Sequence, residues 1–488
     1  KINNSRGGII YVVIVVIFLI CYFPVLNKSL WTDEIYATHH YAMNGIYSVF
    51  TTPYVATNHP FYSLLEAIMI SIFSYSELVA RIPAIIFGLI FLFVLYYYNS
   101  KYFGKVVAFG VGILMLANDN FVSLFFQARG YTIVYLCATI VIFSCYEWIE
   151  TRKNGYTFLC ASAVGIWTWP LFCVLVGFLL LFVLCTVERK RKKEVIKIGG
   201  GGILASLIFY LPMIQSMFLF YSQGMEIFGE KLSWRNVLMY NFYNLMNALG
   251  IHENCRLGGM IVLFAWIIGI YLIHQNYTEI SRYLIAGIFG YSISVLILGL
   301  NTNPRYFVFL DEITLTFIVY GLLQMFKQKN RILKLGLIVL MILIVFDNYS
   351  FKNNAIEKRL KEIRYPREAY KETAEYITDK LADKENHVKV VICTQRSYGF
   401  EFYFEIFGVN DYEVVAETDN SKIMELLEKW NDKEKIILVD HVFRRNAIEE
   451  IDKNRKTDFY PMQYSRGYIK VYMFEEGEIK DVVASSDC

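Results

Sequence analysis

The sequence predicts an α-helical polytopic membrane protein of about eleven transmembrane helices, with a small C-terminal α/β domain on the extracytoplasmic side. Composition is the first observation: of 488 residues, 56% are hydrophobic and only 19% charged, far from a soluble globular mixture. The second is where the charges lie. From Tyr349 onward there are 23 Lys/Arg and 28 Asp/Glu, more than half of all charged residues in the chain. The third is the spacing of the apolar runs, so that residues 1–348 read as a membrane domain and residues 349–488 as a soluble one.

Runs long enough to approach the ~30 Å of a hydrocarbon core fall near residues 9–26, 78–98, 105–117, 121–149, 155–169, 170–187, 200–220, 258–274, 283–300, 306–326 and 332–348. The first follows Lys1 and Arg6 as a signal peptide would, but its length and the lack of a small-residue cleavage site make it an uncleaved span. With the N-terminus cytoplasmic, the alternating inner segments hold seventeen Lys/Arg, six of them in "ERKRKKEVIK". The outer ones hold six: Lys28, Arg81, Lys231, Arg235, Arg256 and Arg305. This is the asymmetry of a multi-pass protein of the cell membrane with its first residues inside. An odd number of spans then leaves the C-terminal domain outside, together with two long outer loops at 27–77 and 221–257. Loops of that length in a compact bundle are more often functional than connecting.

In the C-terminal domain the pattern alternates between helix and strand: "PREAYKETAEYITDKL", then "VKVVICT", "YEVVAE", "SKIMELLEKW", "KIILVD", "NAIEEIDKN" and a last strand in "RGYIKVYMF". No Gly-rich phosphate loop follows any of these strands, and the domain reads as an outward-facing accessory. The basic residues are scattered through short loops, so no nucleic-acid partner is expected. Cys21, Cys137, Cys145, Cys160, Cys173 and Cys185 lie in apolar runs without metal-ligand spacing and read as buried hydrophobes.

Ionisable residues at the membrane call for a functional hypothesis, and here they collect on the outer side. Asp33 and Glu34 follow the first span in "SLWTDEIYATHHY". They serve equally well as caps at a positive helix N-terminus or as chemistry. His59 lies in "NHPFYSLL", Arg81 in "SELVARIPAIIFGL", Asp119, Gln127, Arg129 and Tyr131 in "ANDNFVSLFFQARGYT", and Arg305 with Tyr306 in "NPRYFVF". Arg81 and Arg305, taken singly, read as cations snorkelling to headgroups. His39 and His40 lack a third ligand at suitable spacing and read as an interfacial surface. Asp311 and Glu312 fall inside a span and call for an arginine from a neighbouring helix.

Taken in order, "LWTDEIYA", "HPFYSLL", "SELVARIPAIIFGLIFLFVLYYYNSKYFG", "FFQARGYT" and "PRYF" resemble the GT-C glycosyltransferases of the protein O-mannosyltransferase type. The likeness is strongest over residues 25–150 and closest to the bacterial branch of that family 39-like group, which includes the lipid A aminoarabinose transferases. The resemblance implies an integral membrane hexosyl or pentosyl transferase that takes a sugar from a polyprenyl-phosphate carrier. The acceptor is a glycan, lipid or protein on the extracytoplasmic face. It places the acidic first-loop motif on Asp33 and Glu34, with Asp33 as base, the His-Pro segment on His59 and Pro60, Arg-x-Pro on Arg81 and Pro83, and the late Arg-Tyr on Arg305 and Tyr306. One departure stands out: where members commonly carry a glutamate before Ala-Arg, this chain has Gln127, with Asp119 two turns earlier.

The chemistry agrees with that assignment. A carboxylate suits removal of the acceptor hydroxyl proton, and cations suit the charge that develops on a departing polyprenyl phosphate. His59, Arg81, Arg129 and Arg305, with Lys231 and Arg235 of the second loop, form the available pool, Gln127, Tyr131 and Tyr306 lying beside them in sequence. No cofactor is expected, although adjacent carboxylates and a phosphate would also suit Mg²⁺ or Mn²⁺. Two other classes share the composition: a polytopic transporter or lipid flippase, for which internal repeats and mid-membrane polar interruptions would speak, and a catalytically inactive membrane scaffold.

Overall fold

The computed structural model describes residues 3–55, 57–219, 256–297, 307–327, 368–381, 388–393, 397–409, 412–415, 435–441, 462–466 and 469–474. The chain divides into two compact units, Lys1–Phe23 with His40–Ala355 and Pro24–His39 with Ile356–Cys488. The second unit thus gathers the segment carrying Asp33 and Glu34 together with the C-terminal residues.

Among its described residues, the regular elements of the first unit are all helices. Asn3–Tyr22 turns Tyr11, Val15 and Phe18 inward and leaves Ile9, Ile10, Val13, Ile17 and Ile20 exposed. A helix that shows its apolar residues outward is stable against hydrocarbon and unstable in water. Among the described residues, four helical stretches are long and apolar enough to cross a membrane, Gly7–Val25, Glu77–Tyr102, Tyr131–Thr151 and Arg189–Leu219. The expected runs at 105–117, 155–169 and 170–187 form the helices Lys105–Ala117, Gly155–Thr168 and Phe172–Thr186. The run near 332–348 and the loop 221–257, up to Arg256, lie outside the described residues. Within the expected first outer loop, Pro60–Phe73 is itself an apolar helix of 14 residues, a length suited to an interfacial or re-entrant segment.

One expected span is broken. Residues 121–149 do not form a continuous helix: Asp119–Phe125 ends, residues 126–130 turn, and Tyr131–Thr151 begins. The break matters because it places Arg129 at the head of the second helix rather than on the side of one long rod.

The helices Arg256–Asn276 and Asp311–Lys327 touch backbone to backbone. A Cβ on Gly269 would lie 1.9 Å from the Phe317 carbonyl oxygen, and one on Gly321 would lie 2.6 Å from that of Ala265. Between helices in lipid, close approach through small residues replaces the hydrophobic drive available in water. Gly269→Val is expected to force this pair apart and to destabilise the protein by about 1–3 kcal/mol or more, read as a lower melting temperature in detergent.

Asp311 and Glu312 open the second of these helices, each about 1% exposed. Among the described residues their partners are neutral, and Arg305 lies outside those residues. Asn118 Nδ2 donates to Asp311 Oδ2 at 3.1 Å, the Tyr135 hydroxyl donates to the same oxygen at 3.4 Å, and Thr139 donates to Glu312 Oε1 at 3.4 Å. Among the described residues, neither carboxyl forms an ion pair with a Lys, Arg or His.

In the second unit a five-stranded sheet has the order β2-β1-β3-β5-β4, with β1 Val388–Cys393, β2 Tyr412–Val415, β3 Lys435–His441, β4 Met462–Arg466 and β5 Ile469–Phe474. Strands β1, β2 and β3 run parallel, and β5 is antiparallel to both β3 and β4. Val390, Val391 and Ile392 are buried in succession, as in a strand covered on both faces. Two elements go beyond the expected alternation. These are β4 and the aromatic helix Tyr398–Phe407, which buries Phe400, Phe402, Tyr403 and Phe404. The segments "SKIMELLEKW" and "NAIEEIDKN" lie outside the described residues.

Candidate active site

In the second unit, the helix Thr32–Ala37 has six residues, too few to hold itself in water. Glu34 supplies part of what it lacks. Its Oε2 accepts the Trp31 backbone N–H at 2.8 Å, and the side chain is buried. This is the reciprocal half of a capping box, so the capping reading of the acidic pair is realised in Glu34. Asp33, one residue earlier, is only partly buried and is the more exposed residue of the two.

The rest of that turn is held by C-terminal residues of the same unit. Glu368 Oε2 accepts both the Thr32 backbone N–H and the Thr32 hydroxyl at 2.9 Å, and the Tyr370 hydroxyl lies 2.9 Å from the Thr32 Oγ1. The Leu30 N–H donates to the Tyr403 hydroxyl at 3.0 Å. Lys28 Nζ stands 4.0 Å from Glu372, whose carboxyl is pushed above the usual range by burial, with the nearby ammonium opposing the shift. Farther along, His39 Nδ1 is hydrogen-bonded with the Tyr398 hydroxyl, while Nε2 stands 3.5 Å from Glu405 Oε2. Burial and the neighbouring negative charges push the Tyr398 phenol above its usual range. The two histidines therefore part company: His39 belongs to the second unit and His40 to the first.

In the first unit the structure brings together three of the residues singled out from sequence. Arg129 Nη2 lies 3.3 Å from the Thr57 carbonyl oxygen, to which it donates, and 3.3 Å from His59 Nε2. Its guanidinium sits over the Tyr131 ring, 5.0 Å from the centroid, and the His59 ring packs edge-on against the same ring at 5.0 Å. The break at 126–130 makes this possible. Gly130 has no room for a side chain, since a Cβ there would lie 2.4 Å from Thr168 Cγ2 and 2.9 Å from His59 Nδ1. A guanidinium stacked on an aromatic face and hydrogen-bonded through one edge is held in a fixed orientation.

Gln127 and Arg81 are buried in the same unit, Arg81 in the second turn of Glu77–Tyr102 with Pro83 two residues on. Lys231, Arg235, Arg305 and Tyr306 lie outside the described residues, as does the side chain of Asp119. Among the described residues no three His, Cys, Asp or Glu side chains gather as a metal site. Glu368 and Tyr370 escaped the sequence reading, because "PREAYKETAEY" has the pattern of any solvated amphipathic helix. Thr57 contributes through its carbonyl, which no motif can announce.

Residues 57–215 match the family described as dolichyl-phosphate-mannose-protein mannosyltransferase. No curated protein matches the chain. Among solved structures, ArnT from Cupriavidus metallidurans in the apo state is similar with a TM-score of 0.56 at 12% identity, over 96% of this chain and 98% of that one. The same protein bound to undecaprenyl phosphate gives 0.57 at 12% identity, with the same coverage. The archaeal oligosaccharyltransferase AglB from Archaeoglobus fulgidus, in complex with an inhibitory peptide and a dolichol-phosphate, gives 0.50 at 12% identity, over 92% of this chain and 70% of that one. These likenesses agree with the resemblance carried by the motifs: the chain is an integral membrane protein that shares the GT-C fold of ArnT, and its residues 57–215 are similar to the protein mannosyltransferases.

Proposed function

We propose that this protein is a glycosyltransferase that moves a hexose or pentose from a polyprenyl-phosphate donor to a hydroxyl of a glycan, lipid or protein on the extracytoplasmic face. The observation that carries this reading is the buried grouping of Arg129, His59 and Tyr131, found in a fold whose ArnT example binds undecaprenyl phosphate. Asp33 takes the acceptor hydroxyl proton. The acceptor oxygen then bonds to the anomeric carbon, the bond from that carbon to the phosphate oxygen breaks, and the polyprenyl phosphate leaves with the electron pair. Attack opposite the leaving group inverts the anomeric centre.

Arg129 and His59, with Tyr131 supporting the guanidinium, are assigned to the donor phosphate, where fixed donors are most effective as charge develops. Arg81, Gln127, Arg305, Tyr306, Lys231 and Arg235 complete the proposed substrate-binding set. Glu34 holds the turn that presents Asp33 and, in this reading, assists in orienting the acceptor. No cofactor enters the reaction as written. The proposed orientation has the N-terminus cytoplasmic and the C-terminal domain outside, in agreement with the distribution of Lys and Arg.

Full-length protein in lipid nanodiscs, given a panel of synthetic undecaprenyl-phosphate pentoses and hexoses with an extract of surface glycans and lipids, should consume one donor and release undecaprenyl phosphate, read by mass spectrometry. Movement of the donor lipid between leaflets without any sugar transfer would replace this reading with that of a flippase. Tyr47 is 79% exposed in the first outer loop, and Tyr47→Cys should react with a membrane-impermeant maleimide from outside intact cells, above the signal of the unsubstituted protein. Labelling only after the membrane is opened would overturn the orientation.

A further inference from the structure

We propose that Glu368 and Tyr370 of the C-terminal segment are positioning residues for Asp33, which makes that segment part of the catalytic apparatus rather than an accessory. This rests on the proposed role of Asp33.

The turn before Thr32–Ala37 has backbone N–H groups with no carbonyl one turn back to receive them. Three of them are accounted for by side chains: Leu30 N–H by the Tyr403 hydroxyl, Trp31 N–H by Glu34, and Thr32 N–H by Glu368. Asp33 therefore stands between two residues that are each fixed, Thr32 by Glu368 and Glu34 through its own bond back to Trp31. The hold on Thr32 is double. Its single hydroxyl proton goes to Glu368 Oε2, so the Tyr370 hydroxyl must be the donor in the contact between Tyr370 and Thr32. Glu368 is 8% exposed and Tyr370 fully buried, which makes this an ordered clamp and not a surface contact. Lys371 adds to it, its backbone N–H donating to Ser29 Oγ at 3.4 Å and its Nζ to the Asn27 carbonyl at 3.3 Å.

A helix of six residues takes much of the orientation of its first turn from such a clamp. Displacing a reacting group by about 1 Å costs on the order of 10²-fold in rate. In the full-length protein, Glu368→Ala is expected to lower kcat with the donor identified from the synthetic panel by about 10–100-fold, with KM for that donor within about 3-fold of wild type. Glu368→Gln keeps an oxygen acceptor for Thr32 and should recover kcat to within about 5-fold. Tyr370→Phe, which removes one hydroxyl and leaves the packing, should lower kcat by about 3–10-fold.

Hydrogen exchange supplies a readout that does not depend on turnover. The Thr32 amide should exchange about 10-fold faster or more in Glu368→Ala, with Ile437 and Val439 of the sheet still protected. Wild-type kcat in Glu368→Ala, beside a dead Asp33→Asn, would overturn the positioning role and leave the role of Asp33 standing. Equal kcat for Glu368→Ala and Glu368→Gln would also overturn it, as would loss of protection throughout the sheet. Were Asp33→Asn to turn over normally, the function reading would fall instead, and unchanged Thr32 exchange in Glu368→Ala would then remove the clamp as well.

Discussion

Asp33→Asn is expected to lower sugar transfer by about 10²–10⁴-fold, the usual contribution of a positioned general base, while the protein stays folded and still binds undecaprenyl phosphate. Asparagine has the shape of aspartate and cannot take a proton, and Asp33 lies in a partly exposed position where the exchange leaves no cavity. Glu34 is a poor substitute despite being adjacent. It is buried, and its Oε2 is engaged by the Trp31 N–H at 2.8 Å. The two carboxylates therefore separate by experiment. Glu34→Gln retains an acceptor for that N–H and should keep kcat within about 3-fold, whereas Glu34→Ala removes the cap and should cost about 0.5–2 kcal/mol of stability. Near-normal single-turnover transfer by Asp33→Asn, with the donor saturating, would refute the assignment of the base. A variant that loses undecaprenyl phosphate binding along with transfer would point to Asp33 in binding instead.

The separation of Asp33 from Glu34 shows where sequence reasoning reached and where it stopped. That an acidic pair lies just past the first apolar run is plain from the order of residues. That Glu34 is the buried one and is bonded to Trp31, while Asp33 is partly exposed, is a consequence of the fold. The apolar runs were legible because hydrocarbon imposes length and composition on every crossing segment, and most of them return as helices with nearly the expected bounds. The run at 121–149 failed because hydropathy does not register a turn whose cause is local. Gly130 faces Thr168 and His59 with no room for a Cβ, and Arg129 reaches the Thr57 carbonyl from the bend. Asp311 and Glu312 called for an arginine, and among the described residues Asn118, Tyr135 and Thr139 meet them. Those partners lie some 170 to 190 residues away in sequence, and no periodicity links them. The clamp of Glu368 on Thr32 spans 336 positions, so a motif read along the chain does not contain it.

Arg129→Ala is expected to weaken undecaprenyl phosphate binding and to lower transfer by about 10²–10³-fold, the range seen when one fixed donor to a developing anion is removed. Arginine at this position does three things at once: it donates to the Thr57 carbonyl, it meets His59 Nε2, and it lies over the Tyr131 ring. Lysine offers a point charge without the planar fork, so Arg129→Lys should regain no more than about 10-fold of the loss. Part of the effect of alanine will be structural, because the partly buried Thr57 carbonyl loses a donor at a cost of about 0.5–1.5 kcal/mol. Melting temperature and binding must therefore be read together. A folded Arg129→Ala protein with wild-type affinity for undecaprenyl phosphate would reduce Arg129 to a brace for the loop before Pro60. Gly130→Ala tests the same site without touching its charge. The added Cβ would lie 2.9 Å from His59 Nδ1 and 2.4 Å from Thr168 Cγ2, and the imidazole would have to move off its contacts with Arg129 and Tyr131. If geometry at this group governs phosphate binding, Gly130→Ala should weaken undecaprenyl phosphate binding in the same direction as Arg129→Ala, although every ionisable residue is still present.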